Sequence, residues 1–184
     1  MQNVKMPSGV FPPRVALSAV KLLNRVGDVI ESAAKGVGSY DVCIAAKPYE
    51  GVVVGVALTT VLAEMNSCEV VAHFSATKFF DLKKNFEETT AGGFDSFNDV
   101  LHADLMLVSE LSYVAASVAS EIDAMIYRRF CIGKQTIISG YNMPVESGFT
   151  AETIDGYGGY PLLAHRLNST VVVFAPELSD EHFK

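Results

Sequence analysis

The segment Lys47-Pro48-Tyr49-Glu50-Gly51-Val52-Val53-Val54 stands where a phosphate-binding turn belongs, and it lacks the residues such a turn uses. It follows a short apolar run and precedes a long one. That strand, glycine turn, helix order opens a nucleotide-binding α/β domain. A phosphate cradle needs a lysine on the β- and γ-phosphates and a hydroxyl on Mg²⁺. Here Gly51 is followed by Val52 and Val53. Lys47 precedes the glycine by four residues and reads as an exposed lysine at a strand end rather than a substitute. With neither group in place, little phosphoryl-transfer chemistry is expected.

Other reactive side chains are scattered. Glu110 follows the apolar run Asp104–Val108, at what becomes the edge of a sheet. As a general base it would need a metal and a cation to activate water against, so it reads as a polar edge residue. Ser109 lacks the Gly-x-Ser-x-Gly elbow of a hydrolase nucleophile. His73, His102, His165 and His182 show no i,i+4 pair for a metal. Cys43, Cys68 and Cys131 are far apart, form no Cys-x-x-Cys and read as free thiols, buried in apolar runs for the first two. Phe79, Phe80 and Phe86 fall at helical spacing and read as core rather than a base-stacking platform. No metal and no cofactor are expected.

Length and charge narrow the classes. The 184 residues suit one domain, and 49% hydrophobic residues can bury a substantial core. The net charge of -7 and the absence of basic runs longer than Lys83-Lys84 or Arg128-Arg129 favour a protein partner over nucleic acid, with a local basic patch left open. Met1 to Pro13 is polar with three prolines and does not read as a signal peptide. The apolar run Val52 to Ala63 is short of the roughly 20 residues of a membrane span. A cytoplasmic location is expected.

These residues are positioned by alternating elements. Residues 1–12 read as a lead-in, and apolar spacing predicts a helix from Arg14 to about Lys35, ended by Gly36 and Gly38. Residues 1–36 therefore form an N-terminal segment and helix, and 37–184 an α/β domain. Strands are expected at Tyr40–Ala46, Cys68–Phe74, Asp104–Val108, Gln135–Ser139 and Ser169–Phe174. Helices are expected at Gly51–Met65, from Ser75 or Thr77 to about Glu88, at Phe94–Leu101, at about Tyr113–Phe130 and at Pro161–Leu167. Residues 145–160, with four glycines, read as irregular. The strands are continuous apolar runs, the pattern of a mostly parallel sheet covered on both faces.

Four local patterns carry a resemblance. Phe74-Ser75-Ala76-Thr77-Lys78-Phe79-Phe80-Asp81-Leu82-Lys83 is a strand, small polar residues and a helix start. Ala103-Asp104-Leu105-Met106-Leu107-Val108-Ser109-Glu110-Leu111 matches Ala-Asp-Leu-Leu-Ile-Leu-Asp-Asp-Leu. Ile126-Tyr127-Arg128-Arg129-Phe130 followed by Gly133-Lys134-Gln135-Thr136-Ile137-Ile138 matches Asn-Arg-Arg-Tyr and Lys-Pro-Thr-Ile-Ile, and His165-Arg166-Leu167 matches Ser-Arg-Leu. In this order they resemble the AAA+ P-loop ATPase module of bacterial helicase loaders and transposition ATPases, the DnaC/DnaI/IstB group, over about Tyr40 to Phe174. The resemblance implies a five-stranded sheet of order 5-1-4-3-2. It also implies a degenerate nucleotide site. Gly51, Val52 and Val53 fall on the last glycine, lysine and Ser/Thr of the phosphate loop, and Ser109 on the Mg²⁺-bearing aspartate. Glu110 keeps an acid, Asn142 falls one residue beyond the sensor asparagine, and Arg166 falls on the arginine finger.

Together these features point to a pseudo-ATPase acting through protein binding, as an accessory of DNA replication or of a mobile element. The resemblance names the partner classes: a replicative helicase, its loader, an active ATPase, or further copies in an oligomer. Two alternatives stand beside this: a regulatory subunit that lends Arg166 to an active ATPase, and a small-molecule binder or enzyme on a flavodoxin-like sheet, with Tyr49, Glu110 or Tyr141 near its ligand.

Overall fold

The computed structural model describes residues 11–79, 97–111, 114–139, 160–167, 169–174 and 180–183. The expected helix running to Glu88, the turn around Tyr141 and Asn142 and the glycine-rich 145–159 stretch lie outside them.

Helix α1 spans Pro13–Val37, with proline in its first turn and a kink where Val26 leaves helical geometry at φ -133°. Gly38 ends it at φ 58°, a left-handed conformation that glycine adopts freely. Strand β1 (Asp41–Ile44) leads to α2 (Pro48–Met65), β2 (Val71–Ser75) and a short 3-10 turn at Ala76–Lys78. Then come α3 (Phe97–His102), β3 (Leu105–Ser109), α4 (Ala116–Cys131), β4 (Gln135–Ile138), α5 (Pro161–Arg166) and β5 (Val171–Phe174). A 3-10 turn at Asp180–Phe183 returns to α1, where Arg25 donates to the Glu181 carbonyl.

The sheet order is β2-β3-β4-β1-β5, the expected order seen from the other edge, and every pairing is parallel. A flavodoxin-like sheet keeps β1 beside β2. Here β1 lies between β4 and β5, which overturns the flavodoxin-like sheet of that alternative.

Alternation along each strand feeds two cores. Val42, Ile44, Leu105, Leu107 and Ile137 pack with α1 and α2 on one face. Cys43, Met106, Val108 and Ile138 pack with α3, α4 and α5 on the other. Neither face is left to water, which is why the strands read as unbroken apolar runs.

Helix α2 is apolar and long enough to pass as a membrane span by length and composition, yet it is a core helix: Val53, Val54, Val56, Ala57 and Leu58 are fully buried. Its valines are weak helix formers, and burial between α1 and the sheet overrides that preference. Gly55 permits the close approach, since a Cβ there would lie 2.9 Å from Leu107 Cδ1.

The start of one strand differs from expectation. Strand β2 begins at Val71 rather than Cys68, because the Cys68 amide closes α2 on the Ala63 carbonyl and the Glu69 and Val70 amides bond Asp104 Oδ2. Cys68 is accordingly half-buried outside the strand, whereas Cys43 is buried in β1 and Cys131 is exposed. Phe79 is buried, its ring 5.8 Å from Phe74, as a core residue; Phe80 and Phe86 lie outside the described residues.

Candidate functional site

The connection from β1 to α2 is three residues, Ala45, Ala46 and Lys47. Helix α2 begins at Pro48, so the segment expected as a glycine turn is wound into the first helical turn. The Gly51 amide bonds the Lys47 carbonyl at 2.7 Å, an i→i-4 helical bond, and Gly51 has no positive φ. That corrects the turn assignment. A phosphate cradle works by pointing several backbone N–H groups into a loop. Here Pro48 has none and that of Gly51 is spent along the helix axis. Val52 is half-buried, and Val53 is fully buried among α1 and α2 side chains.

The same helix start carries charge and aromatic contacts of its own. Glu50 sits in the first turn, where a carboxylate favours the positive end of the helix dipole, and pairs with Lys47 Nζ at 3.4 Å. Tyr49 donates to or accepts from Ser18 Oγ at 3.0 Å, and the Arg14 guanidinium lies 5.9 Å from its ring. The first turns of α1 and α2 thus meet at the edge where a nucleotide would enter.

At the ends of β2 and β3 the buried Ser109 hydroxyl lies 3.1 Å from His73 Nε2, and the His73 ring packs on Phe11 at 5.3 Å. Glu110 holds a left-handed φ of 61°, unusual for a residue with a Cβ. Its carboxylate accepts hydrogen bonds from Ser75 and, at 3.2 Å, from Thr77, whose hydroxyls lie 2.6 Å apart. At the end of β4 the buried Ser139 hydroxyl has no partner. This edge offers hydroxyls, an imidazole and one carboxylate already engaged. No group of three or more His, Cys, Asp or Glu able to hold a metal occurs among the described residues. Among the described residues, Val52 and Ser109 stand at the positions that the resemblance gives to the lysine and the metal carboxylate of a magnesium triphosphate site, and Glu50 lies in the first turn of α2. Asn142 lies outside the described residues.

The opposite edge of the sheet holds charged residues whose role the sequence left unread. Arg129, fully buried on α4, donates to the carbonyls of Leu101 (2.6 Å), Ala103 (2.9 Å) and Gln135 (2.7 Å) and to Thr136 Oγ1 (3.0 Å). Burial pushes its pKa down to about 10, with Asp41 and Asp104 acting the other way. Asp41 accepts from the Thr136 amide at 2.7 Å and Arg166 Nη1 at 2.9 Å; burial raises its pKa against those bonds. Asp123 caps α5 by accepting from the Leu162 and Leu163 amides, both at 2.9 Å. A charged residue inside an apolar run, as at Asp41, Asp123 and Arg129, was the available signal.

Arg166 belongs to this edge. It is 5% exposed, ion-paired with Asp41, and its guanidinium lies 4.4 Å from the Phe130 ring and 5.9 Å from that of Tyr127. A finger reaching a neighbouring subunit needs a free, projecting guanidinium; here Arg166 is a buried, salt-bridging arginine, the ordinary alternative to the finger that the resemblance implies. Gly51, Val52, Val53, Ser109 and Glu110 do gather at one edge; Arg166 is at the other.

No family model matches the sequence, and no curated protein does. Solved structures do. The DnaC helicase loader superposes with a TM-score of 0.57 at 14% identity, covering 85% of this chain and 90% of that one. A DNA replication initiation factor gives a TM-score of 0.57 at 16% identity, covering 86% of this chain and 47% of that one. Domain III of the Thermotoga maritima replication initiation protein DnaA gives 0.54 at 14% identity, covering 100% and 70%. The chain spans about half the length of the first of these initiators. Strand order and superposition agree: the chain has the α/β P-loop NTPase fold of the AAA+ replication proteins.

Proposed function

We propose that this chain is a nucleotide-independent pseudo-ATPase that acts by binding protein in bacterial, plasmid or phage DNA replication or in a mobile element. The observation that carries the reading is the helical start of α2 at Pro48, with Val52 and Val53 where a cation and a hydroxyl would stand. Phosphoryl transfer depends on positioned cations and donors around developing charge. Ser109 in place of a metal carboxylate removes a second contribution, and Glu110, bonded to Ser75 and Thr77, has no metal-bound water to activate. Packing of α1 on α2 supplies the order that a bound nucleotide would supply elsewhere. Resemblance to a helicase loader and to a replication initiation factor supports a partner among replicative helicases, their loaders or active ATPases; the place of action is the cytoplasm.

Calorimetric titration of the purified chain with ATP and Mg²⁺ tests this. No heat of binding and no magnesium-dependent phosphate release are expected. Micromolar binding or turnover above background overturns the reading.

A further inference from the structure

Arg166 is a charged group buried with three of its five N–H donors, those on Nε and Nη2, unused. Nη1 serves Asp41, while Nε and Nη2 have no acceptor. Those two nitrogens share one edge of the planar guanidinium, the edge that takes a carboxylate with two parallel hydrogen bonds. Leaving the N–H groups of a cation dry and unpaired is unfavourable, so the edge awaits an acceptor.

The surroundings indicate what brings that acceptor. Tyr127 and Phe130, whose rings flank the guanidinium, are 40% and 37% exposed. Leu162 on α5 is 38% exposed and Ile132 beyond α4 is 49% exposed. The Leu162 amide bonds Asp123, one helical turn before Tyr127, so these side chains form one seam along α4 and α5. Aromatic residues and arginine together typify the energetic centre of protein–protein contacts.

We infer that the α4–α5 seam is a docking surface for a protein segment that places an aspartate or glutamate carboxylate, flanked by apolar side chains, on the unpaired Nε–Nη2 edge of Arg166. A protein carboxylate fits better than a nucleic-acid phosphate because the rim is apolar and a chain of net charge -7 repels a polyanion more than a single carboxylate. The inference gives the protein-binding reading above a surface and rests on it for the class of occupant. An ATP titration bears only on the lost nucleotide site, whereas the titration below bears only on this seam.

The test follows the Arg166 Nε–H signal of the ¹⁵N-labelled full chain by NMR, assigned by its loss in Arg166→Lys or, if that variant does not fold, by through-bond correlation in the wild type. The probes are the blocked peptide acetyl-Leu-Asp-Phe-amide, its Asn counterpart, inorganic phosphate and oligothymidylate. A saturable shift with the Asp peptide is expected, at least about tenfold weaker with the Asn peptide, and weakened in Tyr127→Ser. No saturable shift up to the solubility limit, or equal shifts with both peptides, overturns the inference. A stronger response to phosphate or oligothymidylate than to the Asp peptide also overturns it, in favour of a nucleic-acid backbone as ligand.

Discussion

The two edges of the sheet have been treated in opposite ways. At the carboxyl ends of the strands, where open α/β sheets place their ligands, the β1–α2 connection is three residues long and valines occupy key positions. At the amino ends, Arg129, Asp41, Arg166 and Gln135 are buried and bonded across α3, β1, β4 and α5. One edge engages Lys47 with Glu50 and Glu110 with two hydroxyls; the other spends charge on tying helices to strands. Buried polar groups are costly unless their bonds are met, so a network this dense fixes register and leaves little freedom. The lesson is that a shared fold does not carry a shared site.

The strongest way to break this contrast is Arg129→Met. It strips donors from the carbonyls of Leu101, Ala103 and Gln135 while keeping an apolar stem of similar length. A loss of about 3–5 kcal/mol in urea unfolding is expected, from buried acceptors left unpaired. A loss below about 1 kcal/mol would remove this edge's claim to be the anchor of the sheet.

Glu110→Gly probes the other edge and should do much less. Relief of the left-handed φ, about 1–2 kcal/mol, offsets the lost hydroxyl bonds and the added chain entropy, leaving stability within about 1 kcal/mol of wild type. A drop comparable to that of Arg129→Met would show that the carboxyl edge is equally structural.

The smallest effect comes from pH. The Lys134 hydrogen bond, then the Val70 and Glu69 amides, hold the Asp104 carboxyl below its ordinary value. The folded state therefore binds that proton less readily than the unfolded chain. The resulting stability is present above the unfolded pKa of about 4 and is lost as pH falls through the folded value. Asp104 is part-exposed, so under about 1 kcal/mol is expected. Urea midpoints between pH 7 and roughly 2 should show a shallower acid limb in Asp104→Asn; an unchanged limb would assign acid sensitivity elsewhere.

Much of the architecture was legible in the residues. Continuous apolar runs such as Asp104–Val108 and Gln135–Ser139 predicted covered parallel strands, and the family-like patterns predicted their order. Boundaries were less legible. Cys68–Val70 looked like strand because it is apolar, but α2 and Asp104 claim its amides first. The candidate nucleotide site was legible as a set of positions and misread in shape, since glycine at 51 suggested a turn that Pro48 and the buried valines converted to helix. Arg166 showed its type and position but not its surroundings.

By itself the sequence determined that five apolar strands would pair under helices and that no lysine or hydroxyl would follow Gly51, because hydrophobic period and residue identity are local facts. Only the tertiary structure decided that Arg166 would lie buried on Asp41, 125 positions away in the chain. It also decided that Arg129 would tie the end of α3 to the start of β4, segments that are strangers in sequence. Burial and hydrogen-bond partners arise from contacts between distant segments, and no local pattern encodes which of those contacts a charged side chain will meet.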